Sequence, residues 1–450
     1  MHAQGAADRI FLYALPLTTP ITQSGSKGVH FPLLFSSVRT PFCCHTEQTG
    51  QPATRKCTYG TTKQSSIWSE KEFTHLLSTQ RSFPSGLLLT RGKWTWIVEE
   101  STHYQLCGIM KFYNVTRKNE VFVNEVSASV VLLSASEIND ITTTVKIFSQ
   151  HPAGGPATRK DGYWPVYILQ AGKTTQIKVV VDVKAQHGQQ LTKLQALRLD
   201  LNFVSYGTAG RCLERQNVIL PVQYPEVPQN PVWQPMGNGV VLPVRTHILC
   251  HMDDPLEVVG RYAMPHIRMG DMIVIGETPL AIMQGRFRHP CNIIPSLMAK
   301  LACKLFHPTS SLATACGMQA LLDISGRLRA MFAIVVAVLG RIVGVRGLFY
   351  RLAGEQARLI DDVSGTLPPY DQFITLGPVE AQNIAKSLEQ KTGCGVAIVD
   401  ANNLGRVHIL AASSKVEPDF LKRILTSNPA GNDDEQTPLV IVRPLKAPST

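Results

Sequence analysis

Asp361, Asp362 and Asp400 are the acids of this 450-residue chain whose types and spacing best suit a divalent cation. The first two stand side by side ahead of Gly365 and the Pro368 and Pro369 pair, and the third closes the apolar run at residues 396–399. An acid just past the carboxyl end of a buried strand sits where open sheets with parallel strands bind ligands. Asn402, Asn403, Gly405 and Arg406 follow at once. They supply amide donors, a permissive backbone and a guanidinium, which together suit a phosphate and the cation that escorts it. Taken singly, each also suits a helix cap or a polar turn.

Those residues need strands and helices to hold them. From residue 239 onward the pattern alternates between the two. Residues 240–249, 272–275 and 280–283 are predicted strands, residues 294–306 an amphipathic helix with Leu297, Leu301 and Leu305 at fourfold spacing, and Pro308 its stop. Residues 381–391 read as a helix with Ile384 and Leu388 inward and Gly393 as its C-terminal stop. A strand at residues 407–411 follows, and Pro418 opens a last helix with Phe420, Leu421, Ile424 and Leu425 on its buried side.

Upstream the period changes to two. Leu197, Leu199, Leu201 and Phe203 alternate with Arg198, Asp200 and Asn202, as in a half-buried strand, and Ile177, Val179, Val181 and Val183 repeat the rule. Further β-rich runs lie at residues 94–98, 105–113, 121–133, 163–169 and 218–222, separated by turn-formers. About seven short strands in one stretch predict an antiparallel β sandwich over residues 67–225, with Trp94, Trp96, Trp164, Tyr163 and Tyr167 in its core or cross-strand pairs. Pro225, Pro228, Pro231 and Pro235 crowd the next stretch and predict a linker over residues 226–238. The fold class expected is thus multidomain: a β sandwich, then an α/β domain with a mixed sheet over residues 239–444.

Residues 1–66 are rich in Ser and Thr and carry six Lys or Arg against only Asp8 and Glu47. That composition predicts a plastid transit peptide, and hence a chloroplast stroma address, with a disordered tail as the alternative. The formal charge of +11 favours anionic partners. The basic residues are scattered, so a nucleotide or acidic surface is expected and no nucleic acid. Ten cysteines with no CxxC pair read as free thiols. The apolar run at residues 330–340 is too short for a span of about twenty residues. Arg327, Arg329, Arg341 and Arg346 flank it, so a buried or interfacial helix is expected and membrane association is not.

In order, ETPLAIMQGR (residues 277–286), HPTSSLATACGMQ (307–319), IDDVSG (360–365), VDANNLGR (399–406) and SNPAGNDDEQTP (427–438) resemble the F420-0:gamma-glutamyl ligase family. The likeness is to the cyanobacterial and plastid type, in which an N-terminal β domain precedes the ligase domain, and it covers residues 240–444. It implies Asp400 as a metal ligand and Arg406 as a phosphate or substrate contact. Residues 360–364 are similar to a family motif of apolar residues followed by an acid and small polar residues. Met283, Gln284, Gly285 and Arg286 resemble a strand-ending motif, with Gln284 where an acid is usual. The family's second acidic, Gly-rich metal segment is matched only by residues 431–436, with Asp433, Asp434 and Glu435.

The resemblance implies an ATP- or GTP-dependent ligase that joins the amine of glutamate, or a related amino acid, to a small-molecule acceptor through an acyl phosphate, with Mg²⁺ or Mn²⁺ at the phosphates. Asp361, Asp362, Asp400 and one of Asp433 or Asp434 would supply metal oxygens, while Arg286, Arg351 and Arg406 would supply positive charge. Glu355 and Gln356 suit the orientation of an amine, or a helix surface. No GxxxxGK[ST] loop is present, which excludes a P-loop mechanism. The family's tendency to dimerise implies a homodimer. A second reading keeps the same pocket in a non-catalytic binding or regulatory module.

Overall fold

The computed structural model describes residues 85–445 except 153–158, 160, 309, 343–344, 346, 362–366, 403–404 and 432–434. Residues 1–66, Asp362, Asn403, Asp433 and Asp434, all singled out above, lie outside the described residues.

The first half is antiparallel and β-rich. Strands β1 (Leu87–Leu89), β2 (Lys93–Glu99), β3 (His103–Asn114), β4 (Val121–Ser134), β5 (Ile141–Gln150), β6 (Tyr167–Leu169), β7 (Thr174–Ala185), β8 (Leu194–Gly207) and β9 (Gly210–Pro221) form two sheets. One has the order β1-β3-β7-β5 with β2 also on β3, and the other β6-β4-β8-β9. Alternation decides which side chains face inward. Ile177, Val179, Val181 and Val183 of β7 share one apolar cluster with Leu197, Leu199, Leu201 and Phe203 of β8. Phe112 from the first sheet meets Phe203 from the second edge to face, centroids 5.3 Å apart. Trp94 and Trp164 are buried there, but Tyr163 is exposed and lies outside strand β6, with Arg159 over its ring.

The second half is built on a six-stranded mixed sheet of order β10-β11-β17-β12-β15-β16. Its strands are β10 (Gln234–Met236), β11 (Gly239–Val244), β12 (Met272–Gly276), β15 (Gly395–Ala401), β16 (Val407–Ala412) and β17 (Leu439–Pro444), and a short pair, β13 (Phe287–Arg288) and β14 (Ile374–Thr375), lies apart. Only β12 and β15 pair in parallel. They are central and covered on both faces, which explains why their sequences are continuously apolar rather than alternating. Ile273, Ile275, Val396 and Ile398 point to one cluster with Ala385 and Leu388 of the helix Ala381–Thr392. Met272, Val274, Ala397 and Val399 point to the opposite cluster with Leu421, Ile424 and Leu425 of the helix Pro418–Leu425.

Two expectations are corrected. Residues 280–283 are not a strand: they complete helix α1 (Glu277–Met283), whose Leu280 to Met283 are all buried, and an apolar run covered on every side carries no period to separate helix from strand. The predicted helix at residues 294–306 is α-helical only over α2 (Leu297–Ala302), capped by the Ser296 hydroxyl, and continues as a 3₁₀ turn. Its inward residues are Ala299, Ala302 and Cys303, whereas Leu297 and Leu301 face out. The Pro-rich run does not trail free. Val227 and Trp233 pack on the core of the second half, Arg443 lies 4.0 Å over the Trp233 ring, and the run ends as edge strand β10, where proline is tolerated.

The halves also share a core. Ala196 of β8 and Ile219 of β9 belong to the same cluster as Ile273 and Tyr370. Arg91 crosses between them, donating to the carbonyls of Asn217, Gly285 and Phe287.

Candidate functional site

The carboxyl ends of β12 and β15 open into a cleft of about 470 Å³. Gly276 ends β12 and leads directly into α1, because a Cβ at that position would lie 3.0 Å from the Pro279 ring. Glu277, the first residue of α1, and Asp400, near the end of β15, therefore line the same wall. Asp361 joins them from the β14 side. Its backbone is fixed by a two-way bridge to Thr375, at 3.1 and 3.0 Å, and the Thr278 hydroxyl donates to its Oδ2 at 3.1 Å. Glu435 also lines the cleft, on a loop where Gly431 leaves room for its carboxyl group.

The neighbouring carboxylates act on Glu277. Burial foremost, then the charges of Asp400 and Asp361, push the Glu277 carboxyl up to about 9, against a partial pull from Arg358. At neutral pH Glu277 therefore keeps its proton while its neighbours provide the negative charge. Arg358 also stands 2.7 Å from Nε2 of His408, the cross-strand partner of Asp400. Burial, followed by the Arg358 charge, lowers the His408 pKa. Other lining residues are hydrogen-bonded into the scaffold. His247 contacts the Tyr262 hydroxyl at 2.9 Å and Asp253 at 3.0 Å, and the Tyr370 hydroxyl donates to the Leu249 carbonyl at 2.7 Å.

Of the residues singled out in the sequence, the cleft brings together Asp361, Asp400, Asn402 and Glu435. Asn402 also organises the β15–β16 turn: its side-chain oxygen accepts from the Arg406 N–H and its carbonyl from the Gly405 N–H, each at 3.1 Å. Gly405, at φ +75°, supplies the left-handed residue of that turn, and Arg406 is exposed. Neither lines the cleft. Arg351 is exposed on the helix Leu348–Ala353 and does not line it either. Glu355 opens a 3₁₀ turn in which Gln356 follows.

The segment Met283 to Arg286 is built into the scaffold instead. Gln284 donates to the Val379 carbonyl and accepts from the Val379 N–H, both at 2.8 Å, an exchange that an ionised acid could not complete. Gly285, at φ +66°, receives Arg91, since a Cβ there would sit 2.7 Å from the guanidinium. Arg286 is turned to the Gly377 carbonyl and to Gln356, and burial, then Arg288, lower its pKa to about 10.

Sequence reasoning missed Glu277, Thr278 and Arg358 as members of the site. The signal was present in ETPLAIMQGR: an acid directly after an apolar strand, as at Asp400. Placing a strand at residues 280–283 hid it.

Carboxylate oxygens are hard donors, and an acid whose proton is held by neighbouring carboxylates, as at Glu277, is one that a divalent cation of the Mg²⁺ or Mn²⁺ kind relieves. The donor chemistry fits such an ion. As they stand, no group of three or more His, Cys, Asp or Glu among the described residues is arranged to hold one. Glu277, Asp361 and Asp400 would have to draw together around it.

A family model, the N-terminal Ig-like domain of F420-0:gamma-glutamyl ligase, matches residues 88–224. The match lies within the first two sheets and does not reach the cleft. No curated protein matches the chain. Among solved structures, the GAE domain of GGA2p from Saccharomyces cerevisiae is similar at 9% identity, over 30% of this chain and 90% of that chain, with a TM-score of 0.18. The yeast GGA1 GAE domain is similar at 13% identity, over 29% of this chain and all of that chain, with a TM-score of 0.17. Overlaps at these scores carry no argument about fold or function.

Proposed function

We propose that this chain is a ligase-like protein, an Ig-like β sandwich followed by an α/β ligase-like domain, that binds a metal nucleotide in the cleft and forms an amide bond with glutamate or a related amino acid. The observation that carries the reading is the meeting of Glu277, Asp361 and Asp400 at the carboxyl ends of two parallel strands. The Ig-like match in the first half supports the same family relationship. The composition of residues 1–66 supports a plastid stroma as the compartment.

In this reading an acceptor carboxylate takes the terminal phosphoryl group of ATP or GTP, giving an acyl phosphate and a nucleoside diphosphate. The amino-acid nitrogen then attacks the acyl carbon, loses a proton and expels phosphate. A bound Mg²⁺ or Mn²⁺ neutralises phosphate charge in such chemistry. This chain's own residues have three tasks. Asp361 and Asp400 provide anchoring oxygens, with Thr278 fixing the orientation of Asp361. Glu277 exchanges its proton as charge in the cleft changes. Asn402 offers an amide at the rim.

The test is thermal unfolding of the full chain with ATP or GTP and Mg²⁺ or Mn²⁺. A site filled at a hundredfold its dissociation constant stabilises by about 2.7 kcal/mol. No shift with either nucleotide at saturating concentrations would overturn the reading.

One observation favours the second, non-catalytic reading. Arg286 is committed to Gly377 and Gln356, and Arg351 and Arg406 do not line the cleft, so guanidinium charge for a transferring phosphoryl group is sparse. Nucleotide stabilisation without release of phosphate in the presence of amino acid and acceptor would select it.

A further inference from the structure

We infer that helix α3 (Arg327–Ile342) is a docking surface for an anionic lipid membrane. The helix sorts its residues in the opposite way to an ordinary surface helix. Its small residues Ala330, Ala333 and Gly340 are buried, as is Ile334, and the two alanines and Ile334 pack against the cluster that contains Met318, Leu322 and Phe349. Its large apolar residues face out: Leu328 is 89% exposed, Phe332 62%, Val335 52%, Leu339 57% and Ile342 79%. Their spacing of four, three, four and three places them on one stripe along the helix. An apolar stripe of this length on an otherwise packed segment marks an interaction surface.

Charge identifies the partner. Residues 289–354 contain Lys300, Lys304, Arg327, Arg329, Arg341, Arg346 and Arg351 against the single acid Asp323. That acid is turned inward, in a buried pair with Arg288 at 3.1 Å. Lys300, Lys304, Arg327, Arg329 and Arg351 are exposed, and Arg329 Nε also donates to the Leu352 carbonyl at 2.9 Å. The segment thus presents apolar side chains with five exposed cations, against Glu355 as the exposed acid that follows it, a net positive balance that is the pattern of a helix lying in the headgroup layer of an acidic bilayer.

The two nearest rivals fit less well. A second copy seated by twofold symmetry would set this cationic surface against itself, which like charges oppose. A span is excluded by length: 16 residues rise about 24 Å, short of the ~30 Å hydrocarbon core. No helix among the described residues is long and apolar enough to cross a membrane. The inference does not depend on the ligase reading, because the stripe lies outside the cleft.

The test is co-sedimentation of the full chain with vesicles of phosphatidylcholine alone or mixed with phosphatidylglycerol. The parent should bind the mixed vesicles, bind plain phosphatidylcholine weakly, and release as salt rises. The double substitution Phe332→Ser and Leu339→Ser, on exposed positions, should weaken binding by about tenfold or more. Lys304→Glu with Arg327→Glu should remove the preference for phosphatidylglycerol. As a check independent of any loss of folding, the emission of Phe332→Trp should shift to shorter wavelength on mixed vesicles. The inference is overturned if the parent stays in solution with them, if the Ser variant binds equally well, if the Trp emission does not move, or if the parent is a dimer that the Ser variant converts to monomer.

Discussion

Glu277 and Asp400 leave the mixed sheet at the same height, because Gly276 of β12 is registered against Val399 of β15 and an acid follows on each strand. Parallel pairing is what makes this happen. In an antiparallel pair the carboxyl ends would lie at opposite edges, whereas here both deliver an acid to one edge. Asp361 completes the group through Thr278, which follows Glu277 on α1.

The first prediction concerns pH. An ordinary Glu loses its proton near 4.5, while folded Glu277 holds it up to about 9. Between those values the folded chain binds more protons than the unfolded one, so this group's contribution makes stability fall as pH rises through the window. The slope is at most roughly 1.4 kcal/mol per pH unit. Glu277→Gln should melt higher than the parent at pH 8 and flatten the decline. Parallel melting curves for parent and variant across that window would rule the coupling out.

The second concerns charge at Asp400. Asp400→Asn keeps the side-chain shape but removes the charge that a hard cation requires and that raises Glu277. The variant should stay folded and lose the nucleotide stabilisation that depends on Mg²⁺, while Asp419→Asn, in the first turn of the last helix, should bind as the parent does. Titration of the parent with Mg²⁺ and nucleotide at pH 7 should release a proton from Glu277, read with a pH indicator in weak buffer. Equal Mg²⁺-dependent affinity in the parent and Asp400→Asn would remove Asp400 from the site.

Why some of this was legible in the sequence can be argued from the same residues. Period two identified β7 and β8 because each turns its apolar residues to one core, while the opposite face is half exposed on β7 and carries Arg198 and Asp200 toward the second half on β8. Asp400 was legible because the apolar run before it is short, with Gly393 stopping the helix upstream. Glu277 was not, since Leu280 to Met283 are all buried and erase the period that would have shown where β12 ends. Leu297 and Leu301 misled for a different reason: fourfold spacing shows that residues share a face, but not which face the core covers. Arg286 looked like a free cation because its partners, Gly377 and Gln356, are more than sixty residues away in sequence.

The third prediction rests on Gln284. Replacing it by Glu leaves an acceptor opposite the Val379 carbonyl in place of a donor. The partly buried carbonyl would lose its partner and face a carboxylate, so Gln284→Glu should cost about 1–3 kcal/mol in denaturant unfolding. A variant as stable as the parent would show that the 377–379 segment is not held by this exchange.

The fourth prediction is that the two halves unfold together, and it turns on Arg91. Its guanidinium is largely enclosed, burial lowers its pKa to about 10, and it lies 4.0 Å over the Phe287 ring. It donates to Asn217 in the first half and to Gly285 and Phe287 in the second. Arg91→Met keeps an apolar stem on the ring but leaves those carbonyls without the donor. Since hydrogen bonds to a charged group contribute about 1.5–3 kcal/mol and this guanidinium makes several, a loss of roughly 3 kcal/mol is expected. With Ala196 and Ile219 packed into the core of the second half, the parent should melt in one transition and resist proteolysis within residues 225–237. Arg91→Met should melt lower and be cut there sooner. Two separate transitions in the parent, with cleavage in the Pro-rich run yielding two folded fragments, would show independent domains in place of a shared core.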